Sequence, residues 1–218
     1  MKLKTYLSLI VLTLLSHALS GKVDKPSVGA SFGLMEFENS GIQFDGDYAF
    51  DFNFIAPFYK RGNFGADFSL DILVASSSAS VSGVNFDLET KRSEVLFRPY
   101  YNFDAIKVFG LGGVGFLSTS LNTASTSSEV LSENDFLYGV GFEVSNNAFY
   151  FTPNLKFSNY GIPGEGFIYE LPLSYNLNDS IDLTFTYEAS DFDSYTNTLG
   201  LSDKVSYSLF TLGFSFLL

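Results

Sequence analysis

The sequence predicts an all-β fold: an up-and-down antiparallel transmembrane β-barrel of about ten strands, with eight or twelve strands as alternatives. Apolar and polar residues alternate with period two along most of the chain after residue 26, as in strands whose successive side chains point to opposite faces. Short and long connections alternate between these strands. No later segment is apolar enough for a membrane helix, so a chain that crosses a membrane must close into a barrel.

Residues 1–20 have the features of a secretory signal. Lys2 and Lys4 form a positive end, Leu7–Leu15 is an apolar core, and Ala18-Leu19-Ser20 supplies small residues at a cleavage position. The apolar run is too short to span a membrane as a helix, which argues against an N-terminal anchor. We therefore predict export and removal of this segment.

Composition restricts what the remaining domain, residues 21–218, can do. The chain has no Cys, which excludes disulfides, a thiol nucleophile and a lipidated cysteine. Without the two lysines of the signal, ten of the twelve basic residues remain against 24 acidic residues, a net charge of −14. Such a surface repels nucleic acid, and it repels anionic lipid unless divalent cations bridge the two. We expect no nucleic-acid partner and no cofactor.

The period-two segments predict where the strands lie, and 64–72 is the clearest of them. The ten predicted strands are 27–37, 47–58, 64–76, 90–102, 107–119, 135–145, 148–158, 167–176, 181–190 and 205–218. The connections predicted to be short and turn-like are 59–63, 103–106, 146–147 and 177–180. The connections predicted to be long polar loops are 38–46, 77–89, 120–134, 159–166 and 191–204. This order predicts a barrel with short turns and both chain ends at one rim, called the plain rim, and long loops at the other rim.

Two kinds of local feature qualify this assignment. The low-complexity stretches Ser76–Ser82 and Thr119–Ser128 fall in predicted long loops and are typical of solvated segments. Four prolines fall inside predicted strands near the plain rim, where we expect bulges or strand ends because proline cannot donate to a ladder. They are Pro57, Pro99, Pro153 and Pro172.

Packing decides which face of the barrel is outside. The chain has 25 Phe and 13 Tyr, and 18 of these rings share the apolar face of the six clearest strands. The interior of a small barrel could not hold them, so we predict that the rings face lipid and that the polar face lines the lumen. Tyrosines are predicted to form girdles at the two interfaces. They are Tyr48, Tyr138, Tyr169, Tyr187 and Tyr207 near one rim, and Tyr101 and Tyr175 near the other.

The C-terminal segment supports the same class. Apolar or aromatic residues occupy alternate positions up to the terminus: Leu212, Phe214, Phe216 and Leu218. This pattern resembles the C-terminal signal of bacterial outer-membrane β-barrels, which implies recognition by the barrel-assembly machinery. The resemblance covers the chain after the signal and is architectural: it is to small barrels such as OmpX, the OmpA membrane domain and the opacity proteins, with no single family assigned.

Catalytic patterns are missing after the signal, so we predict that the protein is not an enzyme. The only His is His17, whereas the outer-membrane barrel enzymes that the chain resembles in architecture depend on His. Gly110–Gly115 is similar to a nucleotide-binding fingerprint, but no helix follows it and a strand is predicted there.

The predicted lumen face carries charge, which we interpret as a polar network that fills the barrel; a glycosidase-like pair of carboxylates is the alternative. The residues of this network are Asp51, Asp67, Asp71, Arg92, Glu94, Arg98, Glu143, Lys156, Glu170, Asp182 and Glu188. Counting from the plain rim places Asp67 level with Arg98, and Asp71 near Arg92 and Glu94. We therefore hypothesise an Asp67–Arg98 pair.

The long loops are acidic, with clusters at Asp191, Asp193 and Asp203 and at Glu129, Glu133 and Asp135. Their spacing matches no calcium-binding motif, so no metal site is assigned. The leading hypothesis is a structural or surface-interaction barrel in the outer membrane of a Gram-negative bacterium. A narrow, cation-preferring passive channel is the alternative. Expected partners are outer-membrane lipid, lipopolysaccharide and the assembly machinery; the sequence indicates no surface ligand.

Overall fold

The structure is a computed structural model, and it describes residues 25–39, 41–103, 106–123, 127–145, 148–158, 166–196 and 202–218. The signal predicted at residues 1–20 lies outside these ranges and stays a prediction. Within them, no helix is long and apolar enough to cross a membrane.

Nearly all described residues belong to antiparallel strands. In chain order the strands are β1 (Ser27–Asn39), β2 (Ile42–Arg61), β3 (Phe64–Val81), β4 (Val84–Phe103), β5 (Ile106–Asn122), β6 (Ser127–Ser145), β7 (Phe149–Phe151), β8 (Asn154–Ser158), β9 (Gly166–Asn178), β10 (Ile181–Thr196) and β11 (Ser202–Leu217). Consecutive strands pair, β11 pairs back onto β1, and the sheet closes. Because β7 and β8 both lie between β6 and β9, they share one position in the ring. The barrel therefore has ten positions, as predicted.

The two ends of the barrel are named here by the chain ends. The lower end carries Lys25, Leu218 and the β2–β3, β4–β5, β6–β7 and β9–β10 connections, and the opposite end of the barrel is the upper end. The prediction of long upper loops was wrong for four of the five segments; the fifth, 159–166, lies outside the described residues except for Gly166. Val81 pairs directly with Val84, and the turn consists of Ser82 and Gly83 with φ values of 52° and 81°, the sign that a tight hairpin turn requires.

The same correction applies to most of the predicted upper loops. The segments 38–46, 77–89, 120–134 and 191–204 largely belong to paired strands, and the low-complexity stretch 76–82 lies mostly in β3. The physical reason is that ladder hydrogen bonds do not depend on lipid. Residues with polar side chains continue a strand above the membrane as readily as apolar ones do within it.

The predicted orientation of the aromatic face is confirmed. Phe32, Phe50 and Phe136 expose about half or more of their surface on the outside of the barrel, whereas Glu94 is 1% exposed inside it. On β5 the outward apolar residues span Ile106–Phe116, close to the ~9–11 residues that a membrane strand requires. This band is called the lipid belt below.

The alternation of apolar and polar faces reverses above the lipid belt, in contrast to the single pattern predicted for each strand. There the outward residues are polar and the inward residues are apolar. Pairs of adjacent apolar residues mark the change, the first exposed to lipid and the second buried in the barrel: Leu34-Met35, Ile72-Leu73, Phe116-Leu117, Phe136-Leu137 and Phe167-Ile168. The upper barrel has water on its outside, so burying apolar side chains inside it is favourable.

The four strand prolines do not behave alike. Pro57 lies at a register shift, as expected of a bulge, and Pro153 separates β7 from β8. Pro99 and Pro172 keep their places in β4 and β9 and pair with Ala66 and Thr186 without a register shift. The expectation of bulges or strand ends was therefore wrong for these two. A strand can continue through a proline when its other pairing holds the register, as the pairing with β3 does for Pro99 and the pairing with β10 does for Pro172.

Candidate functional site in the barrel lumen

The lower half of the lumen contains a cavity of about 710 Å³. It extends from the middle of the barrel to the lower end, where Lys25, Ser27 and Leu217 line it. Eight carboxylate and five basic side chains contribute to its lining. This cavity, called the lumen cavity, is the candidate functional site because it is concave and holds most of the inward charge.

A buried cluster of charged groups centred on Arg92 forms the roof of the lumen cavity. The guanidinium of Arg92 is ion-paired with Glu188 and donates to Asp71 Oδ1 at 3.1 Å. Its Nε lies 3.4 Å from Glu94 Oε1, and its Nη1 donates to the Tyr207 hydroxyl at 2.5 Å. Arg92, Glu94 and Glu188 are each at most 3% exposed. Charges that are this buried need such partners, because desolvation alone costs several kcal/mol for each ion.

A second cation, Lys156, extends the cluster across the barrel. Its ammonium donates to Glu94 Oε2 at 2.6 Å and is ion-paired with Glu170. Glu170 also accepts from Asn154 Nδ2 at 2.8 Å. Glu94 therefore bridges Arg92 on β4 to Lys156 on β8, and the charged layer reaches from one wall of the lumen to the other.

Above this layer the lumen is filled by apolar side chains. Met35, Leu73, Leu137, Ile168 and Phe192 are each at most 1% exposed and belong to one buried cluster. This group is called the apolar plug. The expectation of a polar lumen was therefore wrong for the upper half, where a core of ordinary soluble type closes the barrel.

All eleven residues proposed as a lumen network line the lumen cavity. The predicted register is confirmed: Asp67 is the Cα partner of Arg98, and Asp71 is the partner of Glu94. The guanidinium of Arg98 lies 4.6 Å from the centre of the Phe109 ring. A direct Asp67–Arg98 side-chain pair stays a prediction, and so does the role of the network as filler.

The predicted lumen network omits Lys107, which lines the lumen cavity, and Tyr207, which is buried in the barrel. Lys107 lies 3.4 Å from Glu143 and 4.8 Å from the centre of the Tyr100 ring. Tyr207 was placed in the girdle, and this was wrong: it is 5% exposed and its hydroxyl donates to Glu188 at 2.6 Å. Counting back by twos from Leu218 along β11 would have shown that residue 207 is on the inward face.

The other girdle residues and the C-terminal residues lie on the outside. Tyr48, Tyr101, Tyr138 and Tyr175 are each at least 40% exposed. Tyr169 and Tyr187 are half-buried against each other, with ring centres 5.8 Å apart. The residues proposed as an assembly signal, Leu212, Phe214, Phe216 and Leu218, are 44–60% exposed on the outer face. Their recognition by an assembly machinery stays a prediction.

The acidic clusters of the predicted loops lie on strands. Asp191 belongs to β10, and Glu129, Glu133 and Asp135 belong to β6; the side chains of Glu129, Glu133, Asp193 and Asp203 lie outside the described part. Among the side chains that are described, no group of three or more His, Asp or Glu is arranged to hold a metal ion.

Comparison with known proteins shows similarity of structure. The outer membrane protease OmpT from Escherichia coli is similar over 92% of this chain and 100% of its own, with a TM-score of 0.55 and 8% identity. The fold is that of an outer-membrane β-barrel. The translocator domain of autotransporter NalP from Neisseria meningitidis is similar over 100% of this chain and 98% of its own, with a TM-score of 0.50 and 9% identity. Ail, the attachment invasion locus protein of Yersinia pestis, has 16% identity and a TM-score of 0.44, over 89% of this chain and 100% of its own.

The chain matches no known protein family. No curated protein matches it in sequence either. Barrels of this fold include a protease and the translocator domain of an autotransporter. The fold alone therefore does not decide the function, which has to be argued from the lumen and the surface.

Proposed function

We propose that the protein is a non-conducting, non-enzymatic outer-membrane barrel that presents a rigid surface outside a Gram-negative cell. The observation that carries this proposal is the apolar plug, which fills the lumen above the charged layer. Ions do not cross a dry apolar core without a large desolvation penalty. A lumen that is closed in this way supports a structural or surface role over transport.

The surface above the lipid belt supports a role in interaction. On the outward faces of β1, β2 and β4 it carries six carboxylates: Glu36, Glu38, Asp45, Asp47, Asp87 and Glu89. Lys91, on the same face of β4, is ion-paired with Glu89 at 3.1 Å. Asp47 accepts a hydrogen bond from Ser78 at 3.0 Å, which ties β2 to β3. These residues stand on paired strands, so the acidic surface is held in one shape and suits a basic partner or cation-bridged lipopolysaccharide.

A non-enzymatic role is supported by the content of the lumen. The acids and bases of its buried charged layer are paired with one another around Arg92 and Lys156, and the chain has no His beyond His17. A hydrolase would need a base that is free to take a proton from its nucleophile.

Single-channel recording in planar bilayers tests the proposal. We expect no conductance steps from the wild-type protein. The matched variant Leu73→Gly/Leu137→Gly, which removes two side chains of the apolar plug, should conduct if it still shows heat-modifiable mobility on a gel. Regular steps from the wild type would instead support the alternative, a narrow cation-preferring channel, for which the acidic lumen cavity is the favourable observation.

A second experiment tests the surface role. Binding of a lysine-rich peptide to the protein in nanodiscs should weaken in Glu36→Gln/Asp45→Asn/Asp47→Asn and with added salt, because exposed charges attract over about one Debye length. Equal binding by the triple variant and the wild type would contradict the assignment of the acidic surface.

A further inference from the structure

The barrel wall is weakened where β7 and β8 are separated. Phe142 N donates to Pro153 O at 3.1 Å, but Pro153 has no N–H to return. Thr152 N donates to Pro172 O at 3.0 Å, and Pro172 also has no N–H to return. The ring position that β7 and β8 share, called the broken position, has therefore lost one ladder hydrogen bond to β6 and one to β9. Below it, β7 is held to β6 by only two residue pairs.

The outer side of this stretch carries a groove of about 550 Å³ within the lipid belt. Its walls are the apolar side chains of β5, β6 and β8 together with Pro153, and its floor includes Gly141 and Asn154. Gly141 and Asn154 are Cα partners across the β6–β8 ladder. Because Gly141 has no side chain, the floor at this point is backbone that is backed on the lumen side by the Phe109 ring.

The inner side of the same stretch lines the lumen cavity. Thr152, Asn154 and Pro172 contribute to the cavity, so Asn154 borders both the cavity and the outer groove. The Phe109 ring packs on the lumen side of Gly141. One thin layer of wall, with reduced hydrogen bonding, separates an apolar groove facing lipid from a charged cavity.

The chemistry of the two sides is complementary to a single amphipathic molecule. The groove is apolar apart from Asn154. The lumen cavity has three more carboxylates than basic groups in its lining, which favours a cation. Asn154 donates through Nδ2 to Glu170, whereas its Oδ1 is buried and has no hydrogen-bond partner among the described residues. That oxygen can accept an N–H from a ligand.

We propose that the β6–β8 wall at Pro153 is a lateral portal that admits a single-chain amphiphile with a cationic head from the membrane. The alkyl chain lies in the outer groove, and the head enters the lumen cavity beside Asn154. The apolar plug closes the cavity above, so the site binds the molecule and does not conduct it. This inference concerns the lower wall and is independent of the acidic upper surface.

Because the chain has no cysteine, an introduced cysteine can be labelled without competing sites. Ser69, which lines the lumen cavity on β3, is replaced by Cys and labelled with a bimane thioether in the full-length protein in vesicles. The probe is a hexadecyl-dimethylammonium nitroxide, whose quenching group is on its cationic head. The same head with a methyl group in place of the hexadecyl chain reports entry from water, and a hexadecyl phosphate nitroxide reports the effect of charge.

A disulfide lock provides the matched control. Glu143→Cys/Thr152→Cys joins β6 to the broken position, where residues 143 and 152 face each other in the continuing register. We expect the cationic amphiphile to quench the bimane when the lock is reduced and to lose that quenching when the lock is oxidised. Quenching by the short-chain head should be the same in both states. Heat-modifiable mobility on a gel verifies that each variant is folded.

Three outcomes would overturn the proposal: no quenching by the amphiphile in the reduced protein, equal quenching in both states of the lock, or equal quenching by the anionic amphiphile. A milder variant gives an independent check. Pro153→Ala returns an N–H to the ladder and should slow quenching, whereas Pro99→Ala, which makes the same change in β4 outside the groove, should not. Equal rates in these two variants would also contradict the portal.

Discussion

Single buried residues define the charged layer of this barrel. Arg92 contacts Asp71, Glu94, Glu188 and Tyr207, and these partners come from β3, β4, β10 and β11. One guanidinium thus joins strands from two sides of the lumen, which its five fixed donors allow and a lysine would not.

Replacing Arg92 by Met is expected to destabilise the fold strongly. The change leaves the buried carboxylates of Glu94 and Glu188 and the partly buried carboxylate of Asp71 around an uncharged side chain. Breaking a buried pair from one side costs about 3–5 kcal/mol. Lys91→Met is the matched control, because the adjacent Lys91–Glu89 pair is exposed and should contribute no more than about 1 kcal/mol. The measurement is urea unfolding in lipid vesicles. Similar losses of unfolding free energy in both variants would show that the cluster is not dry.

At the scale of the element, five strands, β1, β3, β5, β6 and β9, each have two parts with opposite patterns. β5 shows this with Gly112 in the lipid belt and Ser120 above it, both on the outward face. A Cβ at Gly112 would meet no atom within 4 Å, so a substitution there reports its surroundings and not steric clash.

Arginine substitutions along β5 should locate the edge of the lipid belt. Gly112→Arg is expected to cost about 2–4 kcal/mol, as for a charge near the bilayer midplane, and Ser120→Arg about 0–1 kcal/mol. Both values come from reversible unfolding in vesicles. If Ser120→Arg proved as costly as Gly112→Arg, the lipid belt would have to extend further up the barrel than the outward residues indicate.

The long strands also predict resistance to proteolysis. Glu89 lies in β4, where it pairs with Ser76 of β3 and with Ser120 of β5, although the sequence pattern placed it in a loop. A protease needs an unpaired backbone, so cleavage should require local opening of the sheet. We expect a Glu-specific protease to cut after Glu89 in the heat-unfolded protein and not in the folded one, as mapped by mass spectrometry of the peptides.

For the whole molecule, the decisive feature is closure of the sheet by β1 and β11. Thirteen consecutive pairs join them, from Ser27–Leu217 to Asn39–Val205. Closure removes both free edges of the sheet, which would otherwise be exposed to lipid or to other chains.

Closure predicts a specific crosslink between the two ends of the chain. In Ser27→Cys/Leu217→Cys, a disulfide should form in the refolded protein and change its mobility on a non-reducing gel after boiling. Ser27→Cys/Thr211→Cys places the second cysteine six residues from the partner position and should not crosslink, because disulfide geometry requires a Cα separation under about 7 Å. Crosslinking of the second variant alone would indicate a different register.

The sequence by itself determined the fold class, the outward direction of the rings and the level of Asp67 with Arg98, and it favoured the ten strand positions that the barrel has. All of these follow from period two and from counting along neighbouring strands, which are local properties of the chain. The same counting on β11 would have placed Tyr207 inside, since its position is fixed by the phase of Phe210 and Leu212.

Only the tertiary structure decided the length of the strands above the lipid belt, the apolar plug and the partners of Arg92. Whether a polar segment is a loop or a strand depends on a neighbouring strand to accept its hydrogen bonds, and no local pattern contains that information. Adjacent pairs such as Ile72-Leu73 do record the reversal of the two faces. These pairs can be interpreted as the reversal only when the position of the lipid edge is known. Within the membrane an apolar side chain is favoured on the outer face, and above the membrane it is favoured inside the barrel, away from water.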